Sequence, residues 1–225
     1  MALLHKSVLT PSKTAVIDTW AKARPWFRGD ADAAFVKVAA FRFDDPDGRV
    51  GLETLFVTAG AGPVLQVPLT YRDTALDGGE AWLLGTLEHS VLGTRYVYDG
   101  LGDPAYLAAL ATAALAGGPQ AEEFYEVDGD REVREPSAVV AGSGSPSALP
   151  VDVPAVSSMK TRDDGDVSVT SAGPLTVALA RVPGAAASAL AQAVDAAAAE
   201  REVLTGTWAG HDAPATLALV ARASR

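Results

Sequence analysis

The sequence predicts an α+β protein built on antiparallel sheet, and three observations carry that reading. Segments 33–43, 50–58 and 64–72 are rich in Val, Phe and Leu and lie too close together for parallel crossovers. In the third, Leu65, Val67, Leu69 and Tyr71 alternate with Gln66, Pro68, Thr70 and Arg72, the period-two pattern of a strand with one buried face. Two Pro-started segments, Thr10-Pro11-Ser12 and Asp103-Pro104, open helices among these strands.

Taken in order, the first helix is expected to have Thr10 as its N-cap and Pro11 at its first position and to end near Lys22, with Val16, Ile17 and Trp20 on one face. Asp44-Asp45-Pro46-Asp47-Gly48 supplies a hairpin turn to the two strands that follow Trp26-Phe27. Pro68 lacks a ladder donor, which predicts an edge strand or a bulge there. The stretch from Ala81 to Gly100 is the densest in aromatic and functional side chains. Asp103 and Pro104 then start a helix that closes near Ala116 on Gly117-Gly118. Glu122 to Glu135, with seven acids and two arginines, reads as a solvated strand pair turning at Asp128-Gly129-Asp130.

Residues 136–154 are rich in Gly, Ser, Pro and Ala and read as a flexible loop or linker. Strands are expected at 155–160, 166–171 and 174–182, an Ala-rich helix from about Gly184 to Glu202, and final strands near 203–209 and 215–221. The predicted organisation is an α+β domain over 1–135, the linker, and a C-terminal α+β segment over 155–225 that either stands alone or completes the first fold. Its element order echoes the first half, with no residue-level repeat.

Composition narrows the function. The 225 residues carry 18 basic and 28 acidic groups, a formal net charge of -10, so nucleic acid is disfavoured as a ligand. Residues 1–50 nevertheless hold 8 basic and 6 acidic groups, which leaves room there for a local anion site. Cysteine is absent, which removes disulfides, thiolate zinc sites and a Cys nucleophile. The N-terminus does not read as an export peptide, and the most apolar helix spans only about 20 Å, so a cytoplasmic, non-membrane protein is expected.

No nucleotide-binding loop, nucleophile elbow or His-Glu-x-x-His pattern is present, and Gly142-Ser143-Gly144-Ser145 reads as linker rather than phosphate loop. Asp163, Asp164 and Asp166 fit a hairpin turn better than a cation site, His5 and His211 fit surface positions, and neither metal nor cofactor is expected. The cluster that invites a chemical role is Glu88, His89, Arg95, Tyr98 and Asp99. His89, Arg95 and Asp99 share strand parity and so one face, whereas Glu88 and Tyr98 point to the other unless the chain bends at Gly93. A carboxylate beside an imidazole serves acid/base chemistry, and an arginine holds an anion. Structurally, the same residues also close a turn.

The opening Leu3 to Lys13, the Pro25-Trp26-Phe27 turn, Val67-Pro68-Leu69-Thr70-Tyr71-Arg72 and the stretch Leu84 to Gly100 together resemble the maltokinase N-terminal cap-like family, in particular its short stand-alone actinobacterial members. The likeness is densest over 1–118 and continues more weakly through Leu204 to Gly210. It implies a curved antiparallel sheet with packed helices in a cystatin-like topology, followed here by a second, related α+β segment. In maltokinases such a cap precedes the kinase lobes that phosphorylate maltose with ATP and carries no phosphoryl-transfer residues. No His-Gly-Asp-type loop follows here, and no kinase activity is expected.

The resemblance therefore implies a non-catalytic accessory or binding protein, acting with a partner enzyme of trehalose, maltose or glycogen metabolism. Two alternatives stand beside it. One is a binder of a carbohydrate or phosphosugar on the concave sheet face, near His89, Arg95 and Asp99. The other is an enzyme using Glu88 and His89. A self-associating strand edge is also open, and Trp26, Phe27, Trp82, Tyr96 and Trp208 are the aromatics to place as core or as partner anchors.

Overall fold

A computed structural model describes residues 2–4, 7–127, 130–148, 151–184, 187–194 and 198–223. The chain begins with short strands β1 (Ala2–Leu4) and β2 (Leu9–Thr10) and helix α1 (Lys13–Lys22). Strands β3 (Phe35–Phe43), β4 (Gly51–Ala59) and β5 (Leu65–Arg72) follow as an antiparallel meander, then the hairpin β6 (Leu83–His89) and β7 (Gly93–Asp99) and helix α2 (Pro104–Ala116). Strands β8 (Glu123–Val127), β9 (Asp130–Arg134) and β10 (Ala138–Gly142) lead to the meander β11 (Met159–Asp164), β12 (Val167–Ala172) and β13 (Leu175–Ala180). Helix α3 (Ala187–Ala193) and the hairpin β14 (Glu200–Trp208) and β15 (His211–Arg222) complete it. Among the described residues no helix is long and apolar enough to cross a membrane.

The fold is α+β, with two curled six-stranded antiparallel sheets. Their orders are β2-β6-β7-β5-β4-β3 and β10-β14-β15-β13-β12-β11. Each takes its six strands in chain order and arranges them first, fifth, sixth, fourth, third, second. The echo read from the sequence is thus a repeated topology: a short strand, a meander, and a hairpin inserted between them. The fifth strand of each sheet, β6 and β14, breaks register with its neighbour, a bulge that increases local twist.

Three apolar layers hold this together. Strand parity in β4 sends Leu55 and Val57 toward α1, with Val67 and Leu69 of β5, and sends Leu52 and Phe56 toward α2 and the second sheet. Across that middle layer the Phe56 and Trp208 rings sit 4.6 Å apart. Helix α2 is apolar on most sides because it lies inside this layer, with Leu107, Leu110, Ala111 and Ala114 fully buried. Helix α3, through Leu190, and Val194 just after it cover the far face of the second sheet.

Several local expectations change. The cap of α1 is Ser12, whose hydroxyl accepts from the Ala15 N–H, and Thr10-Pro11 precedes it as a cis peptide in and after β2. Asp103 caps α2 as expected, and Gly117 closes it in the left-handed conformation. Strand β5 is interior, not an edge. Pro68 is tolerated because β7 pairs with β5 only from Leu69 onward, so the missing N–H faces a side where the ladder has ended.

Residues 138–142 lie inside the segment read as linker, yet form β10. The Gly-Ser run beyond it is an ordered close approach to the end of α2. The Gly144 and Ser145 N–H groups donate to the Ala114 and Leu115 carbonyls, and a Cβ on Gly144 would stand 1.8 Å from the Leu115 oxygen. Composition alone cannot distinguish this backbone packing from flexibility. Residues 156–158 form a 3-10 turn and the strand starts at Met159, and the Ala-rich helix is short because β14 claims the chain from Glu200. His5 and the turn at 128–129 lie outside the described residues.

Candidate binding groove

Glu53 sits in β4 between Leu52 and Thr54, at the parity that points toward α1 among apolar neighbours. A carboxylate at such a position needs partners. Arg42 is directly across the ladder on β3, Tyr71 lies two residues beyond the β5 partner Leu69 and so on the same face, and Lys13 is the first residue of α1. Lys13 Nζ and the Tyr71 hydroxyl both donate to Glu53 Oε2, at 2.5 and 2.8 Å, and Arg42 Nη2 is 3.4 Å from Oε1. Arg42 also reaches Glu123 of β8, which pairs with Arg134 of β9. The result is a ladder of alternating charge, Lys13, Glu53, Arg42, Glu123, Arg134, with one cation in excess.

Burial raises the Glu53 carboxyl, but Arg42 and Lys13, with the hydrogen bonds from Lys13 and Tyr71, outweigh it and bring the pKa down to about 2. Burial lowers the Lys13 ammonium, partly offset by Glu53, and burial together with Glu53 raises the Tyr71 phenol. At neutral pH the ladder is therefore ionised at Glu53, and Tyr71 is a fixed donor.

Lys13, Arg42, Glu53 and Arg134 of this ladder line a groove of about 790 Å³ that opens beside the β6–β7 hairpin. Further out, Lys37, Arg49 and Arg95 face Asp44, Asp45 and Asp73. Asp45 is already committed to the backbone N–H groups of Asp47, Arg49 and Val50. In a chain of net charge -10, the groove is thus locally cationic. Among the described residues no three His, Asp or Glu side chains come together as a metal site.

The residues singled out from the sequence divide between places. His89 and Arg95 line the groove. His89 Nδ1 accepts from the Val91 and Leu92 N–H groups at 3.2 and 3.1 Å, which places its proton on Nε2, 3.0 Å from the Ser7 hydroxyl. It closes the hairpin and ties the N-terminal segment down. Arg95 donates to the Leu92 carbonyl, and its buried Nε has no hydrogen-bond partner. Glu88 points to the opposite face, exposed, where it accepts from Thr94, so no acid/base pair with His89 is assembled. Tyr98 is buried, its hydroxyl accepting from the Leu76 N–H.

Asp99 shares its face with Arg95, but four residues along β7 separate them by roughly 13 Å. It is buried in an ion pair with Arg181 Nη2 at 2.6 Å, at the seam between the two sheets. Of the aromatics, Trp26 and Trp208 are core, while Phe27, Trp82 and Tyr96 are half-buried. Lys13, Arg42, Glu53 and Tyr71 were not among the sequence candidates. The available signal was Glu53 itself, a lone acid in core register within Leu52-Glu53-Thr54-Leu55-Phe56-Val57.

Residues 20–103 match the maltokinase N-terminal cap domain family. The match runs from the last turn of α1 to the cap of α2 and so takes in β3 to β7, the meander and hairpin of the first sheet. It leaves the topologically equivalent second sheet unmatched. No curated protein matches the chain.

Proposed function

We propose, from a chain whose first sheet is a maltokinase-cap-type domain, that this protein is a non-catalytic binding module whose groove takes an anionic, hydroxyl-rich small molecule of the sugar-phosphate class. The observation that supports this most is the charge ladder on the groove floor. It sets Lys13 and Arg42 beside Arg95 of the hairpin, with one surplus cation, inside a volume typical of ligand pockets. The cap is the part of maltokinase that carries no catalytic residues. In the groove the Ser7 hydroxyl meets His89 at Nε2, the nitrogen that carries the proton, so among the described residues His89 is not set as a base toward it.

Calorimetric titration with glucose 1-phosphate, maltose and inorganic phosphate tests this. The sugar phosphate is expected to bind with the highest affinity, and Arg95→Ala to weaken it by about tenfold or more, the usual effect of losing a charge-assisted hydrogen bond. Equal or absent binding of all three contradicts it.

A second reading, a cap acting on a partner enzyme, is favoured by a separate feature. Val8, Val91 and Leu92 are 70%, 56% and 45% exposed and adjoin at the hairpin tip, where the Ser90 N–H donates to the Val8 carbonyl. Exposed apolar groups in one patch fit a protein contact. If so, co-purification with an enzyme of maltose, trehalose or glycogen metabolism is lost in a Val91→Asp, Leu92→Ser variant. Retention in that variant removes the hairpin tip from the contact.

A further inference from the structure

Where the two sheets meet, a second and much smaller cavity of about 120 Å³ lies between the end of α1, the end of β7 and the start of the second sheet. Residues lining it include Trp20, Arg24, Trp26, Asp99, Asp163 and Arg181. The seam itself is built by hydrogen bonds. The Gln66 N–H donates to the Arg181 carbonyl at 2.7 Å, Thr170 donates to the Leu101 carbonyl, and Arg28 pairs with Asp166.

The cavity's two carboxylates are occupied, whereas four of its buried N–H groups are not. Asp99 accepts from Arg181 Nη2 and the Leu101 N–H, and Asp163 accepts from Ser168. Among the described residues, by contrast, Trp20 Nε1, Trp26 Nε1, Arg24 Nε and Arg181 Nη1 are buried N–H groups with no hydrogen-bond partner. Trp26 is 0% and Arg181 1% exposed, so these are donors in a protein interior, where an unmet donor is destabilising. The Arg24 guanidinium stacks over the Trp20 ring at 4.7 Å and that of Arg181 over the Trp26 ring at 5.0 Å, which fixes both cations at the wall.

Four unpartnered donors, two of them guanidinium, around a space of this size call for a ligand that brings only acceptors and a negative charge. We infer that the seam cavity is a binding site for a small oxyanion, the size of phosphate or a carboxylate group, held by Trp20, Arg24, Trp26 and Arg181. A volume of about 120 Å³ is enough for one such group. The site is separate from the groove and does not depend on what the groove binds. Because its walls come from both sheets, occupancy also strengthens their docking.

The experiment is a titration with inorganic phosphate, acetate and methyl phosphate, with sodium chloride adjusted to constant ionic strength, read by tryptophan fluorescence and thermal unfolding. Three of the four tryptophans line this cavity and none lines the groove, so the fluorescence reports the seam. At least one oxyanion is expected to give a saturable change, and at a hundredfold above its Kd to raise Tm by about 5 °C or more. Arg24→Gln, on a partly exposed residue, and Trp26→Phe, which keeps the ring but removes the N–H, are each expected to weaken binding about tenfold or more. Inorganic and methyl phosphate binding alike marks a phosphate-ester site, whereas preference for acetate marks a carboxylate site. No saturable response beyond chloride assigns the cavity to water and overturns the proposal, as does unchanged affinity in Arg24→Gln.

Discussion

Replacing Asp99 by alanine is expected to destabilise the protein by about 3–5 kcal/mol, because it leaves the Arg181 guanidinium buried without its counter-charge. Arg181 joins the halves two ways, through the pair with Asp99 and through its carbonyl to Gln66, while its Nε donates to Ser168 within the second sheet at 2.7 Å. Loss of Asp99 should therefore be felt as loosening between the sheets. Urea unfolding measures it. An Asp99→Leu, Arg181→Met double variant should recover much of the loss, since the desolvation of both charges disappears with them. A double variant no more stable than Asp99→Ala would show that the pair is needed for more than charge balance.

Glu53→Gln carries the second large effect, about 3 kcal/mol at pH 7, because Lys13 and Arg42 then face each other across a half-buried floor. The sign of its pH dependence follows from the lowered pKa. Glu53 titrates near 2 in the fold against an ordinary value of 4.5, so its stabilisation is fully present above about 4.5 and is lost as pH falls toward 2. Burial of Lys13 opposes part of this, since its own pKa is lowered. Wild type and variant should therefore converge in stability between pH 4.5 and 2. Parallel curves across that window would mean that Glu53 is not held by its cationic neighbours.

Most of the first sheet was legible in the sequence because its signals are local. The alternation in β5, the turn at Asp44 to Gly48 and the cap and stop of α2 each depend on residues close in the chain. Pro68 was misread because its tolerance depends on where β7 ends, some thirty residues later. Gly142 to Ser145 was misread for a related reason: a backbone pressed on the end of α2 has the same composition as a free linker. The candidate site was half legible. Parity put His89, Arg95 and Asp99 on one face, yet parity carries no distance, and the partner of Asp99 is 82 residues away. The ladder of Lys13, Arg42, Glu53 and Glu123 draws on α1, β3, β4 and β8, a juxtaposition that only the closed fold creates.

The repeated strand order gives these observations a common frame. Two sheets of one topology enclose a shared apolar layer around α2, and polar features collect at the open end of the first sheet and at the seam. The most direct test of the account is a crystal structure of the protein grown with glucose 1-phosphate. The account predicts the ligand in the groove, its phosphate against Arg95 or Lys13 and its hydroxyls toward Tyr71. A well-occupied ligand bound elsewhere, with the groove filled by solvent, would contradict it.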